Sequence, residues 1–323
     1  MYGPSGGGYI PLRVHERGDI SMPPIGVIIK ETRYEFLTAS VIPVLLGGAV
    51  VYAETGRLDW PLFLLTLAGA ACLHIGTNIA NDYFDHLSEN DPLNVKYVRP
   101  FTGGSRLIQE GRISPRAVFV LSLVFFAAGI AIGIVLTALR GPVILLFGAA
   151  GLLSGYFYTA PPVRFAHRGL GEGIVGINFG VLIGIGTYYV QTGGVSAAAL
   201  VSSIPLALLV TAIIVINEFQ DSEADARVGK RTLVVRLGLR RSVYLYAAIS
   251  FAAYVPIVAG VASGLFPPLV LVALGTAPLV VGSFMRARRF YDTPGGLAPA
   301  NAAAIACHAL TGILMAGGFL LGS

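Results

Sequence analysis

The sequence predicts an all-α membrane protein with nine transmembrane helices, and two features carry this prediction. Of its 323 residues, 55% are hydrophobic and only 12% are charged. A soluble domain carries roughly twice that charged fraction. The hydrophobic residues also form long runs, and about 20 mostly apolar residues are enough to cross a bilayer core about 30 Å thick. The chain is therefore expected to cross a membrane several times.

Nine apolar runs qualify as membrane helices, or nearly do. They cover residues 36–53, 60–80, 115–138, 142–158, 173–190, 196–216, 242–263, 267–284 and 302–321. Prolines lie near the predicted starts of four runs, where a missing N–H costs little: Pro61, Pro115, Pro142 and Pro267. Residues 1–30 are predicted to be an N-terminal cytoplasmic tail, and residues 31–323 a single transmembrane domain.

The basic residues predict how the helices are oriented. Of the 22 Lys and Arg residues, all but Arg57 and Arg140 fall in the N-terminal stretch or in the connections after even-numbered runs. Cytoplasmic loops of membrane proteins carry an excess of Lys and Arg. The chain is therefore expected to be a multi-pass protein of the cell membrane, with its N-terminus and long loops in the cytoplasm and its C-terminus outside.

Two acidic segments follow the second and sixth apolar runs. If the helices continue into these segments, the polar residues of each share one helix face: Asn78, Asp82 and Asp85 in the first, and Asn217, Asp221 and Asp225 in the second. The two motifs are four helices apart. This spacing predicts two related four-helix halves plus one helix, with the acidic sites facing each other.

Carboxylates at a membrane boundary are costly, so their repetition in both halves indicates a shared task. Mg²⁺ prefers one or two carboxylates, with waters and substrate phosphates completing its coordination. The motifs are therefore predicted to hold Mg²⁺ and, through it, a diphosphate. Solvated loop charges are the alternative.

Basic and amide residues near the motifs are predicted to bind the diphosphate. They are Arg33, Asn78, Asn81, Lys96, Arg99, Arg106, Asn217 and Lys230. Positive-inside topology alone would also explain the basic ones. The motif-bearing segments 81–114, 156–172 and 217–241 are predicted to be cytoplasmic loops.

A third constellation ends the fourth run. Tyr156 and Tyr158 could offer ring faces to a cation. An interfacial aromatic belt is the alternative. His74 and His308 lie within apolar runs and are expected to be packed or hydrogen-bonded.

Taken together, these residues resemble the UbiA-type intramembrane prenyltransferases. The resemblance spans about residues 30–320 and is carried by three stretches in order: Asn81-Asp82-x-x-Asp85 with Asp91 downstream, Tyr156 to Glu172, and Asp221-x-x-x-Asp225 running into Gly229 to Gly238. It implies nine transmembrane helices around a central cavity. It also implies an Mg²⁺-dependent enzyme that transfers a polyprenyl chain from an allylic diphosphate to an aromatic or similar acceptor.

The resemblance also implies the roles of individual residues. It makes Asp82, Asp85, Asp221, Asp225, Tyr156 and Tyr158 the catalytic residues, and Asp82, Asp85, Asp91, Asp221 and Asp225 the metal ligands. Either Glu89 or Asp91 could complete the first motif. In the second motif, Glu218 stands where relatives often have Asn.

The motif spacing is most similar to the branch that acts on 1,4-dihydroxy-2-naphthoate in menaquinone biosynthesis. A 4-hydroxybenzoate or glycerol-phosphate lipid acceptor is the alternative. A carrier for a phosphorylated lipid is the non-enzymatic alternative, although a carrier would favour acids near the bilayer midplane. The expected partners are a polyprenyl diphosphate, an aromatic acceptor and the lipid bilayer, and no nucleic acid.

Overall fold

Residues 23–322, the range that the computed structural model describes, form helices and connecting turns without a β-strand. The all-α prediction is confirmed. Residues 1–22 of the predicted tail, and Ser323, lie outside the described residues.

The helices follow one another along the chain, and the longest connections lie at residues 94–114 and 157–170. They are α1 (Ile25–Glu31), α2 (Thr38–Thr55), α3 (Trp60–Leu87), α4 (Asn90–Leu93), α5 (Pro115–Arg140), α6 (Val143–Tyr156), α7 (Gly171–Thr192), α8 (Ala197–Arg227), α9 (Leu233–Leu237), α10 (Leu239–Ala262), α11 (Pro268–Phe290) and α12 (Pro294–Gly322).

Eight of these helices are long and apolar enough to cross a membrane, so the chain is a multi-pass membrane protein. All nine predicted runs are helical, but the run predicted at 142–158 forms only the 14-residue α6. At 1.5 Å per residue, α6 spans about 21 Å, which is less than a bilayer core. The count of nine membrane-crossing helices is therefore not confirmed within the described residues.

The structure corrects the prediction that the acidic segments are loops. Helix α3 continues to Leu87 and α8 to Arg227, so both motifs lie on the last turns of long helices. Hydropathy marks only the part of a helix that lies in lipid, whereas backbone hydrogen bonding continues until a terminating residue. Left-handed residues follow the two ends, with φ 63° at Glu89 and φ 75° at Gly229.

Helix α8 is the best buried of the membrane helices and forms the centre of the bundle. It packs against α7, α10 and α12, while α3 packs against α5, and α12 also packs against α2 and α11. Apolar side chains fill the side of the bundle formed by α2, α8, α10, α11 and α12, including Leu46, Leu206, Ile257 and Met315. The opposite side, between α3 and α7, is left open as a cavity.

Helices α7 and α8 approach each other at Gly180, within a π-helical turn at Ile177–Leu182. A Cβ atom at Gly180 would lie 2.3 Å from the Cα of Ala207 on α8. We expect Gly180→Ala to lower the unfolding temperature of the detergent-solubilised protein, because overpacking of this kind costs about 1–3 kcal/mol. Gly173→Ala is the matched control, since a Cβ there meets nothing within 4 Å. Equal unfolding temperatures for the two variants would contradict this packing.

Candidate functional site

A cavity of about 340 Å³ runs through the bundle beside α3 and α8. Residues that line it extend along α3 from Thr66 to Asp85, a distance of about 28 Å at the rise of an α-helix. Its deep end is apolar and includes Leu136, Ile144 and Val190. Its mouth is polar. The cavity therefore offers one end to a charged group and the other to a hydrocarbon chain.

Both acidic motifs reach this mouth. Asp85 and Asp91 line it from one side, and Asp221 and Asp225 from the other. The Nζ atom of Lys230 lies 3.5 Å from Oδ2 of Asp85 and 3.3 Å from Oδ1 of Asp225, so it bridges the two motifs. Burial acts to lower the pKa of Lys230, but the Asp225 and Asp85 carboxylates outweigh it and hold that pKa well above its usual value.

Two asparagines that the sequence analysis did not single out hold the second motif in place. Asn90 donates to Oδ1 of Asp225 at 2.9 Å, and Asn94 donates to Oδ1 of Asp221 at 2.6 Å. Both asparagines are buried. Asn90 begins the short helix α4 and Asn94 follows its end in an extended conformation, so no helix periodicity in the sequence pointed to the pair.

Asp82 lies just behind the cavity lining. The backbone N–H of Ser105 donates to its Oδ2 at 2.7 Å, and Nη1 of Arg33 lies 3.6 Å from its Oδ1. The Ser105 hydroxyl in turn donates to Glu31 at 2.7 Å. Burial, together with the charge of Asp82, raises the pKa of Glu31 to about 8. The end of α1 and the Gly-rich loop thus fix the position of Asp82.

The structure distinguishes between Glu89 and Asp91. Asp91 is buried and lines the cavity, whereas Glu89 is exposed at the turn after α3. Burial, and then the neighbouring Asp82 and Asp85 carboxylates, raise the pKa of Asp91 well above its ordinary value. Arg106 donates to the Asp91 backbone carbonyl. Asp91, not Glu89, therefore completes the acidic cluster at the mouth.

Several predicted diphosphate ligands do line the cavity: Arg33, Asn78, Asn81, Asn217 and Lys230. Lys96, Arg99 and Arg106 do not. The Lys96 side chain is half exposed and pairs with Glu223 at 2.6 Å, and Arg99 pairs with Glu110.

The two predicted tyrosines also separate. Tyr158 lines the cavity. Tyr156 instead packs its ring against Phe84, Phe126 and Phe157, outside the cavity lining. The chain leaves the helix after Tyr156, so two tyrosines that are adjacent in the pattern point in different directions.

Glu218 is a further acid of the second motif that lines the cavity. Its neighbour Glu172 is also buried, and Oε1 of Glu172 accepts from the N–H of Leu233 at 2.5 Å. Oε2 of Glu218 has no partner within the described residues. The departure seen in the sequence therefore places an additional carboxyl group on the cavity wall.

The carboxylates fit a divalent cation that is shared with a substrate. Within residues 23–322, no group of three or more acidic, His or Cys side chains could hold a metal ion by itself. However, Oδ1 of Asp82 and Oδ1 of Asp85 are buried and accept no hydrogen bond from the described residues. Arg33 lies beside Oδ1 of Asp82, and Oδ1 of Asp85 is free to bind a cation, since buried charges are paired or coordinate metals. Mg²⁺ is suited to them, because it takes one or two carboxylates and completes its coordination with water and phosphate.

Comparison with known proteins identifies the family. The model of the UbiA prenyltransferase family matches residues 40–319. The chain is 30% identical over 247 residues to a 1,4-dihydroxy-2-naphthoate octaprenyltransferase of Bacillus subtilis, covering 76% of this chain and 77% of the relative. It is 29% identical to a 2-carboxy-1,4-naphthoquinone phytyltransferase of Synechocystis, covering 87% and 89%.

A solved structure shares the fold. A UbiA homolog from Archaeoglobus fulgidus, bound to GPP and Mg²⁺, superposes with a TM-score of 0.60 at 15% identity, covering 89% of this chain and 98% of that one. The resemblance stated from the motifs is thus confirmed. The family match covers nearly all of the membrane-embedded bundle described above. The chain belongs to the UbiA prenyltransferase family.

Proposed function

We propose that this prenyltransferase transfers a polyprenyl group from an allylic diphosphate to 1,4-dihydroxy-2-naphthoate, as a step in menaquinone biosynthesis. One observation carries the transfer chemistry: acids from α3 and α8 converge with Lys230 at the polar mouth of an otherwise apolar cavity. The names of the relatives from Bacillus subtilis and Synechocystis support a naphthoate-type acceptor.

Each end of the cavity suits one part of the prenyl donor. Lys230 and Arg33 carry positive charge to the mouth, and Asn78 and Asn81 line it with amide groups. These groups can bind phosphate oxygens. The prenyl tail would occupy the apolar part between α3, α5 and α6, where Gly129, Gly133 and Gly148 leave room.

The carboxylates are proposed to hold the metal. Asp82, Asp85 and Asp91 would bind it on one side, and Asp221 and Asp225 on the other. When bound, Mg²⁺ supplies positive charge against the diphosphate leaving group. The fold neighbour bound to GPP and Mg²⁺ supports this assignment.

The chain's own groups would guide the bond changes. Lys230 neutralises the departing diphosphate as the allylic C–O bond breaks. The Tyr158 ring, on the cavity wall, can stabilise the allylic cation. The acceptor ring then forms the new C–C bond and loses a proton, or carbon dioxide where the attacked carbon carries a carboxylate. The surrounding helices exclude water, which would otherwise convert the cation to an alcohol.

An acceptor panel tests this proposal. The purified protein is incubated with geranylgeranyl diphosphate, Mg²⁺ and one of three acceptors: 1,4-dihydroxy-2-naphthoate, 4-hydroxybenzoate or a glycerol-phosphate lipid. We expect pyrophosphate release and a prenylated naphthoid product by mass spectrometry. A prenylated product from one of the other two acceptors, and not from the naphthoate, would assign this protein to a different substrate class of the family. The absence of pyrophosphate with all three would favour a lipid carrier instead.

We propose that the cavity mouth faces the cytoplasm of a cell membrane, because the basic residues predict that side for the loops around it. Labelling of single cysteines introduced at exposed loop positions in intact cells and in inverted vesicles tests the orientation. Labelling of an α3–α5 loop position in intact cells would overturn it.

Gly104 provides a sharp test of the acidic mouth. Its φ is 68°, and a Cβ there would lie 2.8 Å from Oδ1 of Asp82 and 3.0 Å from Oδ2 of Asp91. Gly104→Ala would therefore insert a methyl group between two proposed metal ligands. We expect at least about a tenfold fall in prenyl transfer, the loss that displacement of a catalytic group by about 1 Å can exceed.

Gly111 is the matched control, because it lies in the same loop with φ 67° and nothing within 4 Å of its Cβ position. Gly111→Ala introduces the same backbone strain, about 1–2 kcal/mol, without touching the carboxylates. It should retain most of the activity. Equal losses in the two variants would show that strain, not the carboxylate pair, is responsible.

A further inference from the structure

A histidine lies one helical turn below the acidic mouth. His74 is four residues before Asn78 on α3, so it is about 6 Å deeper in the cavity. It lines the cavity and is only 5% exposed. Its side-chain hydrogen bond within the described residues is made by Nδ1 and not by Nε2. The Nε2 atom can therefore bond to a molecule in the cavity.

The hydrogen bonds of His74 leave one ring nitrogen for a ligand. Its Nδ1 lies 3.0 Å from the Ser40 hydroxyl, and that hydroxyl also lies 3.1 Å from the Leu37 carbonyl. In a neutral imidazole one nitrogen donates and the other accepts. A hydroxyl group can both donate and accept, so it can bond to Nε2 in either tautomer.

The facing helix, α7, brings a further polar side chain, that of Asn178, to the cavity. The π-helical turn of α7 places Asn178 and Phe179 in the lining. Asn178 donates through Nδ2 to the Ser154 hydroxyl at 2.7 Å, which leaves its Oδ1 without a partner within residues 23–322. The Phe179 ring lies 4.5 Å from the His74 ring, edge to face. π-Helical turns of this kind frequently occur at functional sites.

These groups exclude two of the three chemical parts that the cavity would hold. A prenyl tail has no polar group, so it would leave Nε2 of His74 and Oδ1 of Asn178 unsatisfied in an apolar environment, which is costly. A diphosphate offers only acceptor oxygens and negative charge, so it cannot bond to Oδ1 of Asn178. A ring bearing hydroxyl groups can bond to both atoms and has a face that can contact Phe179.

We propose that His74, Asn178 and Phe179 form the acceptor subsite of this enzyme. One ring hydroxyl of the aromatic substrate forms a hydrogen bond with Nε2 of His74, and a second hydroxyl donates to Oδ1 of Asn178. The subsite selects hydroxylated aromatic rings and orients them below the diphosphate. This inference rests on the proposed function, because it names the residues that recognise the acceptor.

Steady-state kinetics with His74→Phe test the subsite. Phenylalanine keeps a ring against Phe179 but removes the imidazole nitrogens of His74, which can form hydrogen bonds. We expect KM for 1,4-dihydroxy-2-naphthoate to rise about tenfold, the effect of losing roughly one hydrogen bond. KM for geranylgeranyl diphosphate should stay within about twofold, since a residue that touches only one substrate changes only its binding. His74→Gln, whose amide oxygen can accept, should largely restore KM for the naphthoate.

His308→Phe is the matched control. His308 is a buried histidine on α12 that does not line the cavity. The His308→Phe substitution should therefore leave both KM values unchanged. Equal increases in both KM values for His74→Phe, or no increase in either, would overturn the subsite.

Competitive inhibition supplies a readout that does not depend on a folded variant. We expect the wild-type protein to bind 4-hydroxy-2-naphthoate about tenfold more tightly than 2-naphthoate, because only the former carries a hydroxyl group that is free to bond to the subsite. Equal inhibition constants would overturn the proposal. The outcomes stay distinct from those of the proposed function: wild-type protein that prenylates no aromatic acceptor refutes the function. Wild-type protein that does so without discriminating these inhibitors refutes only the subsite.

Discussion

Asp85→Asn and Asp221→Asn are each expected to lower pyrophosphate release from geranylgeranyl diphosphate by about 10²–10³-fold, the loss typical of removing one group that stabilises developing charge. The two residues line the cavity mouth from different helices, α3 and α8. Asparagine keeps the shape and the hydrogen-bonding oxygen but removes the charge. The assay measures pyrophosphate over a range of Mg²⁺ concentrations.

The combination of the two variants tests whether the motifs act together. If both charges serve one diphosphate, the double variant should lose little more than either single variant, because residues that act as a unit are non-additive. Asp292→Asn is the control, since Asp292 is exposed, does not line the cavity and accepts a hydrogen bond from the Thr293 hydroxyl. Full activity of either single variant at saturating Mg²⁺ would remove that motif from the site.

The repeating features of this fold could be predicted from the sequence. All nine apolar runs are helices, because lipid demands continuous apolar segments and satisfied backbone groups. The acidic motifs could be placed on helix faces from their spacing alone. The predicted ends of these helices were wrong. Helix α3 continues for about two turns and α8 for about three turns beyond the apolar runs, because polar residues that face a cavity do not interrupt a helix.

Contacts that join distant segments could not be predicted. Asn90 and Asn94 reach Asp225 and Asp221 across more than 120 residues of sequence, and no local pattern encodes that pairing. The sequence also could not distinguish basic residues that line the cavity from other basic residues of the loops, because cytoplasmic loops are enriched in Lys and Arg in general. Only the three-dimensional arrangement separates Lys230, which is buried between two motifs, from Lys96, which faces solvent.

That separation gives the second large prediction. Lys230→Met leaves Asp85 and Asp225 without their shared cation, and removing one partner of a buried ion pair costs about 3–5 kcal/mol, less where a cavity admits water. We expect a lower unfolding temperature and a KM for geranylgeranyl diphosphate raised by about tenfold or more, since a charge-assisted contact to the diphosphate is lost. Lys230→Arg, which keeps the charge, should retain most of the stability.

The pH dependence of stability follows from the direction of the pKa shift. The pKa of Lys230 is raised above its unfolded value near 10.4, so its stabilising contribution is complete below that pH and is lost only as pH rises through the still higher folded value. Between pH 6 and 9 that contribution should be constant. The difference in unfolding temperature between wild type and Lys230→Arg should therefore not vary over this range. A marked change between pH 6 and 9 would mean that Lys230 loses its proton there.

The variant Lys96→Met tests whether the effect of Lys230 on KM for the diphosphate comes from its position at the cavity mouth or from its charge alone. Lys96 also follows an acidic motif, but its side chain is 54% exposed and pairs with Glu223 outside the cavity. Its removal changes the net charge by the same amount as Lys230→Met. If long-range attraction of the anionic substrate dominated, the two variants would raise KM for the diphosphate alike, and added salt would abolish both effects. If direct contact at the mouth dominates, only Lys230→Met raises KM, and the increase persists at high salt.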